Sequence, residues 1–324
     1  MKVLIIGGAG MIGRKLAERL ARDGQLGGRA IASLTLHDVV EAAVPVGAKM
    51  PVKIVIGDLP APGEAQRLMA DKPDVIFHLA AVVSGEAEQD FDKGYRINMD
   101  GGRSLLEAIR AAGHKPRLVF ASSVAVFGAP FPEAIGDEFF TTPLTSYGTQ
   151  KAICELLVSD YSRKGFVEGI SIRLPTICVR PGKPNKAASG FFSNIMREPL
   201  AGQEAVLPVS DSVRHWHASP RAAVGFMRHA GTLDLAKVGP RRALTMPGLS
   251  VTVAEQIAAL EKVAGDKVAA RIRREPDPFI EKIVAGWPRN FAAKRAQELG
   301  FKADDSFEQI VRIHIEDELG GRVP

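Results

Sequence analysis

Of the three tyrosines in the chain, Tyr95, Tyr147 and Tyr161, only Tyr147 is followed four residues later by a lysine. In a helix that spacing stacks Tyr147 and Lys151 one turn apart on one face. A phenol with an ordinary pKa of ~10 is a poor base at neutral pH, and a neighbouring ammonium favours its anion. Such a pair can take a proton from a hydroxyl or return one to a carbonyl. Ser122 and Ser123 close an apolar run and put a hydroxyl where it can orient the reacting oxygen toward Tyr147. Taken singly, each residue has a plainer reading: a tyrosine on a helix usually packs, and a serine at a strand end usually caps or turns.

The partner that would give such a pair a redox task is written at the start of the chain. Gly7-Gly8-Ala9-Gly10-Met11-Ile12-Gly13 follows the apolar run Val3–Ile6 and opens a helical pattern. That is the context in which a glycine fingerprint means dinucleotide binding. Gly7 allows the sharp exit from the strand, Gly10 lets backbone approach a pyrophosphate, and Gly13 lets the helix pack close to the sheet. The helix N-terminus, with Met11 and Ile12 in its first turn, then attracts the phosphates. Asp38 ends the next strand, where a carboxylate can accept from the ribose hydroxyls, and no arginine follows it to receive a 2′-phosphate. NAD is favoured over NADP. Asp58, before Leu59, is expected to put a second carboxylate near the adenine amino group.

The elements that must position these groups follow a βαβ alternation, the pattern of a parallel sheet covered on both faces. Strands are predicted at Val3–Ile6, Ile31–His37, Val52–Ile56, Val75–Leu79, Arg117–Ser122 and Ile170–Leu174. Helices are predicted at Met11–Arg22, Glu64–Ala70, Asp92–Ala112 and Tyr147–Lys164, with Gly24 and Gly113 as C-caps. Beyond Leu174 the periodicity changes. Arg180-Pro181-Gly182-Lys183-Pro184 introduces irregular segments, with helical patterns only near Thr252–Ala264 and Phe307–Leu319. The expected fold is α/β: a doubly wound parallel Rossmann sheet in residues 1–175, with a smaller substrate-binding region in 176–324 that could interleave with it.

Composition narrows the partners. Charge totals +5, from 42 Lys and Arg against 37 Asp and Glu, with no block of like charge, so nucleic acid is not expected. No apolar run is long enough to span a bilayer, and Met1 and Lys2 lead straight into the first strand, leaving no room for a signal peptide. Two cysteines, Cys154 and Cys178, lack metal-ligand spacing, and a reducing cytoplasm is the expectation. His215-x-His217 lacks a third ligand cluster and reads as a hydrogen-bonded pair, so no metal is expected.

Several motifs now stand in order: the glycine fingerprint, Asp58-Leu59, His78-Leu79-Ala80-Ala81, Asn98 within Arg96–Gly101, Ser122–Gly128, Tyr147-x-x-x-Lys151 and Arg173-Leu174-Pro175-Thr176. Over about the first 180 residues the chain resembles an extended short-chain dehydrogenase/reductase of the NAD-dependent epimerase/dehydratase family. The resemblance implies that Ala80, Ala81, Asn98 and Pro175 line the cofactor groove, which Tyr147 and Lys151 also touch. It implies that Ser123, Tyr147 and Lys151 are catalytic. Val124 and Ala125 stand where a dehydratase of this family needs a carboxylate pair. The texture of the glycine loop, of Ala81–Glu88, of Ser146–Lys151 and of Leu174–Ile177 is similar to a branch that oxidises a four-carbon 2-hydroxy sugar acid with NAD. Ser84 and Arg214 join Ser123 and Tyr147 as candidate substrate-binding residues, Arg214 because a guanidinium fork suits a carboxylate. Two alternatives stay open: a nucleotide-sugar epimerase using the same Ser123, Tyr147 and Lys151, and a non-catalytic dinucleotide sensor. A homodimer also stays open.

Overall fold

The computed structural model describes residues 1–182 and 189–323, so Lys183 and Pro184 of the Pro/Gly-rich stretch lie outside the described residues. The strands that matter here are β1 (Lys2–Ile6), β2 (Ser33–Asp38), β3 (Val52–Ile56), β4 (Val75–His78), β5 (Arg117–Ser123), β6 (Glu168–Leu174), β7 (Thr176–Ile177), β8 (Arg214–Ala218), β9 (Ala243–Thr245) and β10 (Leu249–Thr252). The helices are α1 (Met11–Asp23), α2 (Glu64–Met69), α3 (Gly101–Ala112), α4 (Ser146–Arg163), α5 (Gly190–Leu200), α6 (Pro220–Thr232), α7 (Val253–Ala264) and α8 (Phe307–Glu318).

Seven strands form one sheet in the order β3-β2-β1-β4-β5-β6-β9, every pair parallel. This is the doubly wound Rossmann arrangement, and strand order reverses between β1 and β4. Ligands of such sheets bind in the crevice beyond the carboxyl ends of the strands at that reversal. The near-continuous apolar runs of β1 and β4 reflect burial on both faces. On one face Leu4, Ile6, Ile76, Leu118 and Phe120 meet Leu105 and Ile109 of α3.

The predicted elements of the first half lie within two residues of those found, with one internal difference. The helix expected over Asp92–Ala112 is Phe91–Gly94, then a π-helical turn at Tyr95–Asp100, then α3. Gly24 and Gly113 cap their helices in the left-handed conformation, at φ 70° and 64°. The second half is more regular than expected. Helix α5 contains Pro199, and α6 contains Gly225 and Gly231, residues whose low helix propensity hides them from a pattern search.

The chain divides into two compact units. The first comprises Met1–Val126, Pro143–Leu174 and Val224–Thr245, and holds the seven-stranded sheet. The second comprises Phe127–Thr142, Pro175–Ala223 and Met246–Pro324, with the three-stranded sheet β7-β8-β10 and a core that includes Phe192, Ile195, Leu260 and Ile310. Among the described residues no helix is long and apolar enough to cross a membrane.

Candidate active site

The crevice at the reversal is built by two chain segments leaving β1 and β4. After Ile6, the Gly7 and Gly8 amides donate to the His37 carbonyl at 2.8 and 3.0 Å. After His78, the Leu79 and Ala80 amides donate to the Ile6 carbonyl at 2.8 and 3.0 Å. The two segments touch so closely that a Cβ on Gly7, at φ +92°, would lie 2.6 Å from the Ala80 nitrogen. One on Gly13 would lie 2.0 Å from the Gly7 carbonyl oxygen, so only glycine lets α1 start this close to the strand. No side chain caps Gly10, at the N-terminus of α1, so the positive helix end opens on the crevice. Ala80, in this contact, and Ala81 after it are half-buried. These residues fit a dinucleotide: a glycine cradle and an uncapped helix end suit its phosphates.

Asp38 ends β2 beside this loop. One carboxylate oxygen accepts from the Ala9 amide at 2.9 Å and the other from the Val39 amide at 2.8 Å, so the side chain also fixes the glycine loop. Asp58 accepts from Arg96 at 2.6 Å, a pairing across 38 residues that no spacing signals, and Leu59 is buried. Asn98 is buried in the π turn, its amide bonded to both backbone groups of Val82.

Helix α4 begins where Thr145 accepts from the Gly148 amide at 3.1 Å. A Cβ on Gly148 would lie 2.2 Å from the Ala125 carbonyl oxygen, so the first turn of α4, with Tyr147, rests on the segment that follows Ser123. Lys151 is buried, donates to the Ala121 carbonyl at 2.8 Å, and has its Nζ 5.6 Å from the centre of the Tyr147 ring. Burial holds its ammonium down to about 8, against a smaller upward pull from Cys154 and Glu155. Ser123 is half-buried and its hydroxyl accepts from the Ala125 amide at 3.1 Å. Ser122 is buried and donates to Glu155 at 2.5 Å. The Arg173 guanidinium grips the same Glu155 carboxylate through Nε at 3.0 Å and Nη2 at 2.7 Å. Sequence reasoning missed this buried support. The spacing carried a signal, since Glu155 lies one helical turn beyond Lys151 on the Tyr147 face.

Ser84, Pro175 and Arg214 are the other candidates expected from sequence. Ser84 is the first residue of a short helix, Ser84–Gln89, and makes no part of its cap. Pro175 and Arg214 belong to the second unit. There Arg214 donates to the Ser250 carbonyl at 2.7 Å and pairs with Glu255 at 3.3 Å. His215 has both ring nitrogens engaged, with the Pro288 carbonyl at 2.9 Å and the Thr176 hydroxyl at 2.7 Å, and stacks on Phe192. Burial lowers its pKa to about 4, and His217 shifts in the same direction. Among the described residues no group of three His, Cys, Asp or Glu could hold a metal ion.

The model of the NAD-dependent epimerase/dehydratase family matches residues 3–219. The chain belongs to that family. It is 49% identical to a D-erythronate dehydrogenase of Cupriavidus necator over 98% of each chain. A D-erythronate dehydrogenase of Haemophilus influenzae is 45% identical, over 98% of this chain and 99% of that one. A crystal structure from Agrobacterium tumefaciens, described as a nucleoside-diphosphate-sugar epimerase, superposes with a TM-score of 0.98 at 65% identity, covering 100% of this chain and 96% of that one. Within the epimerase/dehydratase family this chain is an oxidoreductase acting on CH–OH groups.

Proposed function

We propose that the chain oxidises D-erythronate to 2-dehydro-D-erythronate, a 2-oxo acid, with NAD. The observation that carries the substrate is the pair of relatives named D-erythronate dehydrogenase, matched along nearly the whole chain. Bound NAD would supply the hydride acceptor for the carbon that bears the hydroxyl. In this reading Gly7, Gly10, Met11, Ile12 and Gly13 cradle the phosphates, and Asp38 receives the adenosine ribose. Asp58, Leu59, Ala80, Ala81, Asn98 and Pro175 complete the groove.

Tyr147 takes the hydroxyl proton of the substrate as the C–H bond breaks, and Ser123 donates to that oxygen to orient it. Lys151 has three N–H donors, one of which goes to the Ala121 carbonyl. The others suit the nicotinamide ribose, and its positive charge favours the Tyr147 phenolate. On sequence grounds Arg214 is proposed for the substrate carboxylate, in competition with Ser250 and Glu255. If so, Arg214→Ala raises the KM for erythronate and leaves NADH affinity unchanged; an unchanged KM removes Arg214 from the site.

The description of the 65% identical structure favours a second reading, an epimerase that returns its hydride and releases no NADH. A screen of aldonates, neutral sugars and nucleotide sugars, followed by NADH absorbance, separates the two. Dehydrogenation predicts NADH from D-erythronate and little from erythrose. Interconversion of a nucleotide sugar without NADH release would overturn it.

A further inference from the structure

We propose that Gln150 is a positioning residue that ties the Tyr147–Lys151 helix to the floor of the dinucleotide groove through Asn98. The inference rests on reading that groove as an NAD site. Hydrogen-bond polarity fixes how the relay is wired. The Val82 amide donates to Asn98 Oδ1 at 2.9 Å, and Asn98 Nδ2 donates to the Val82 carbonyl at 3.2 Å. A backbone N–H can only donate and a carbonyl can only accept, so these two contacts set the orientation of the Asn98 amide. Its second Nδ2 hydrogen then goes to Gln150 Oε1 at 2.8 Å.

Both side chains are buried, at 1% exposure for Asn98 and 0% for Gln150, so water does not substitute for a lost partner. The Gln150 Nε2 is turned toward Gly94, where a Cβ would lie 2.7 Å away. The relay therefore has a site built for it, in the space that Gly94 leaves before the π turn carrying Asn98. One end is Gln150, a turn beyond Tyr147 and next to Lys151. The other is Val82, directly after Ala80 and Ala81, whose segment is bonded to the end of β1. The phenol and the groove floor are thus held in one frame by two amide side chains.

The test uses the full-length protein, NADH titration by fluorescence, and hydrogen exchange of the peptide containing Val82 without cofactor. Gln150→Met keeps the side-chain length and removes the acceptor, leaving one buried Asn98 donor unsatisfied. It should weaken NADH binding about tenfold and speed exchange at Val82 by a similar factor. Gln150→Glu keeps an oxygen toward Asn98 but buries a carboxyl group, so it should fall below wild type yet bind NADH more tightly, and exchange more slowly at Val82, than Gln150→Met. In an Asn98→Ala background, Gln150→Met should have no further effect on NADH binding. A purely structural role would lower thermal stability alike in the Met and Glu variants and leave NADH affinity of the folded fraction unchanged. NADH binding by Gln150→Met close to wild type, or a Glu variant no better than Met, overturns the relay; should Asn98→Ala fail to fold, this comparison decides alone. Wild-type protein that does not bind NADH would instead overturn the reading of the groove.

Discussion

On the proposed reading, Tyr147 is the residue that takes the substrate proton. Tyr147→Phe removes one oxygen and should lower turnover ~100- to 10,000-fold, the range for losing an acid–base group, while NADH affinity stays near wild type. Near-normal turnover of D-erythronate would exclude the phenol as base. Lys151 presents the opposite balance, because its burial is a cost to the fold. Holding an ammonium near 8 rather than 10.5 opposes folding by about 3 kcal/mol below pH 8, where the group is charged in both states. Between about 8 and 10.5 the unfolded chain binds more protons, so stability rises with pH and the cost is relieved. Lys151→Met removes this cost along with the hydrogen bond to Ala121, and the variant should be the more stable of the two at pH 7. Thermal melts of cofactor-free protein should show that gain shrinking as pH is raised toward 10, with activity lost throughout; a variant less stable than wild type at pH 7 contradicts it. The positions of Ser123, Tyr147, Lys151 and Asp38 could be found from spacing, because each is tied to an element end or a helical turn. Their partners could not. The Ala9 amide on Asp38, the Ala121 carbonyl on Lys151 and the Arg173 grip on Glu155 are made across space by residues far apart in the chain.

At the scale of elements, what counts is how closely a helix can approach the strand that feeds it. Gly13→Ala places a methyl group 2.0 Å from the Gly7 carbonyl oxygen, and backbone on both sides leaves nothing flexible to yield. Helix α1 must move away from β1, lowering stability by ~1–3 kcal/mol, as overpacking does. The same movement carries the Met11 and Ile12 amides out of register with a pyrophosphate, so NADH affinity should fall more than the melting temperature alone explains. A Gly13→Ala protein that binds NADH like wild type would show that the close approach serves packing only. Strands and helices of the first half were legible because both their periodicities and their glycine C-caps agree. The π turn at Tyr95–Asp100 was not: one widened turn leaves the helical pattern on either side intact. Helices α5 and α6 were hidden for the converse reason, since tertiary burial of Phe192, Ile195, Phe226 and Met227 overrides the Pro and Gly they contain.

For the whole molecule, the sheet is completed by chain that comes long after it. Strand β9 pairs with β6 through Ala243↔Ser171, Leu244↔Ile172 and Thr245↔Arg173. Arg117, at the start of β5, donates to the carbonyls of Ala230 and Leu233 at 3.0 and 2.8 Å. A fragment of residues 1–175 has every strand of the expected βαβ alternation and all the glycine-loop, Ser123 and Tyr147–Lys151 positions. It lacks both of these later contributions. Its β6 would become a bare edge with unpaired backbone groups, and Ser171 would lose its bond to the Arg242 carbonyl. Arg117 would keep its contact with Glu168 but lose both carbonyls, and Leu26 and Phe77, which lie beside Gly231 of α6, would be uncovered. Losing burial of that kind costs about 1.5–3 kcal/mol per large side chain, which is a large share of the 5–15 kcal/mol that holds a domain together. The expected outcome is a fragment without a cooperative thermal transition and without NADH binding, measured by circular dichroism and fluorescence titration. A cooperative melt with NADH affinity near that of the full chain would mean that residues 1–175 fold alone and that Val224–Thr245 only decorates a finished domain.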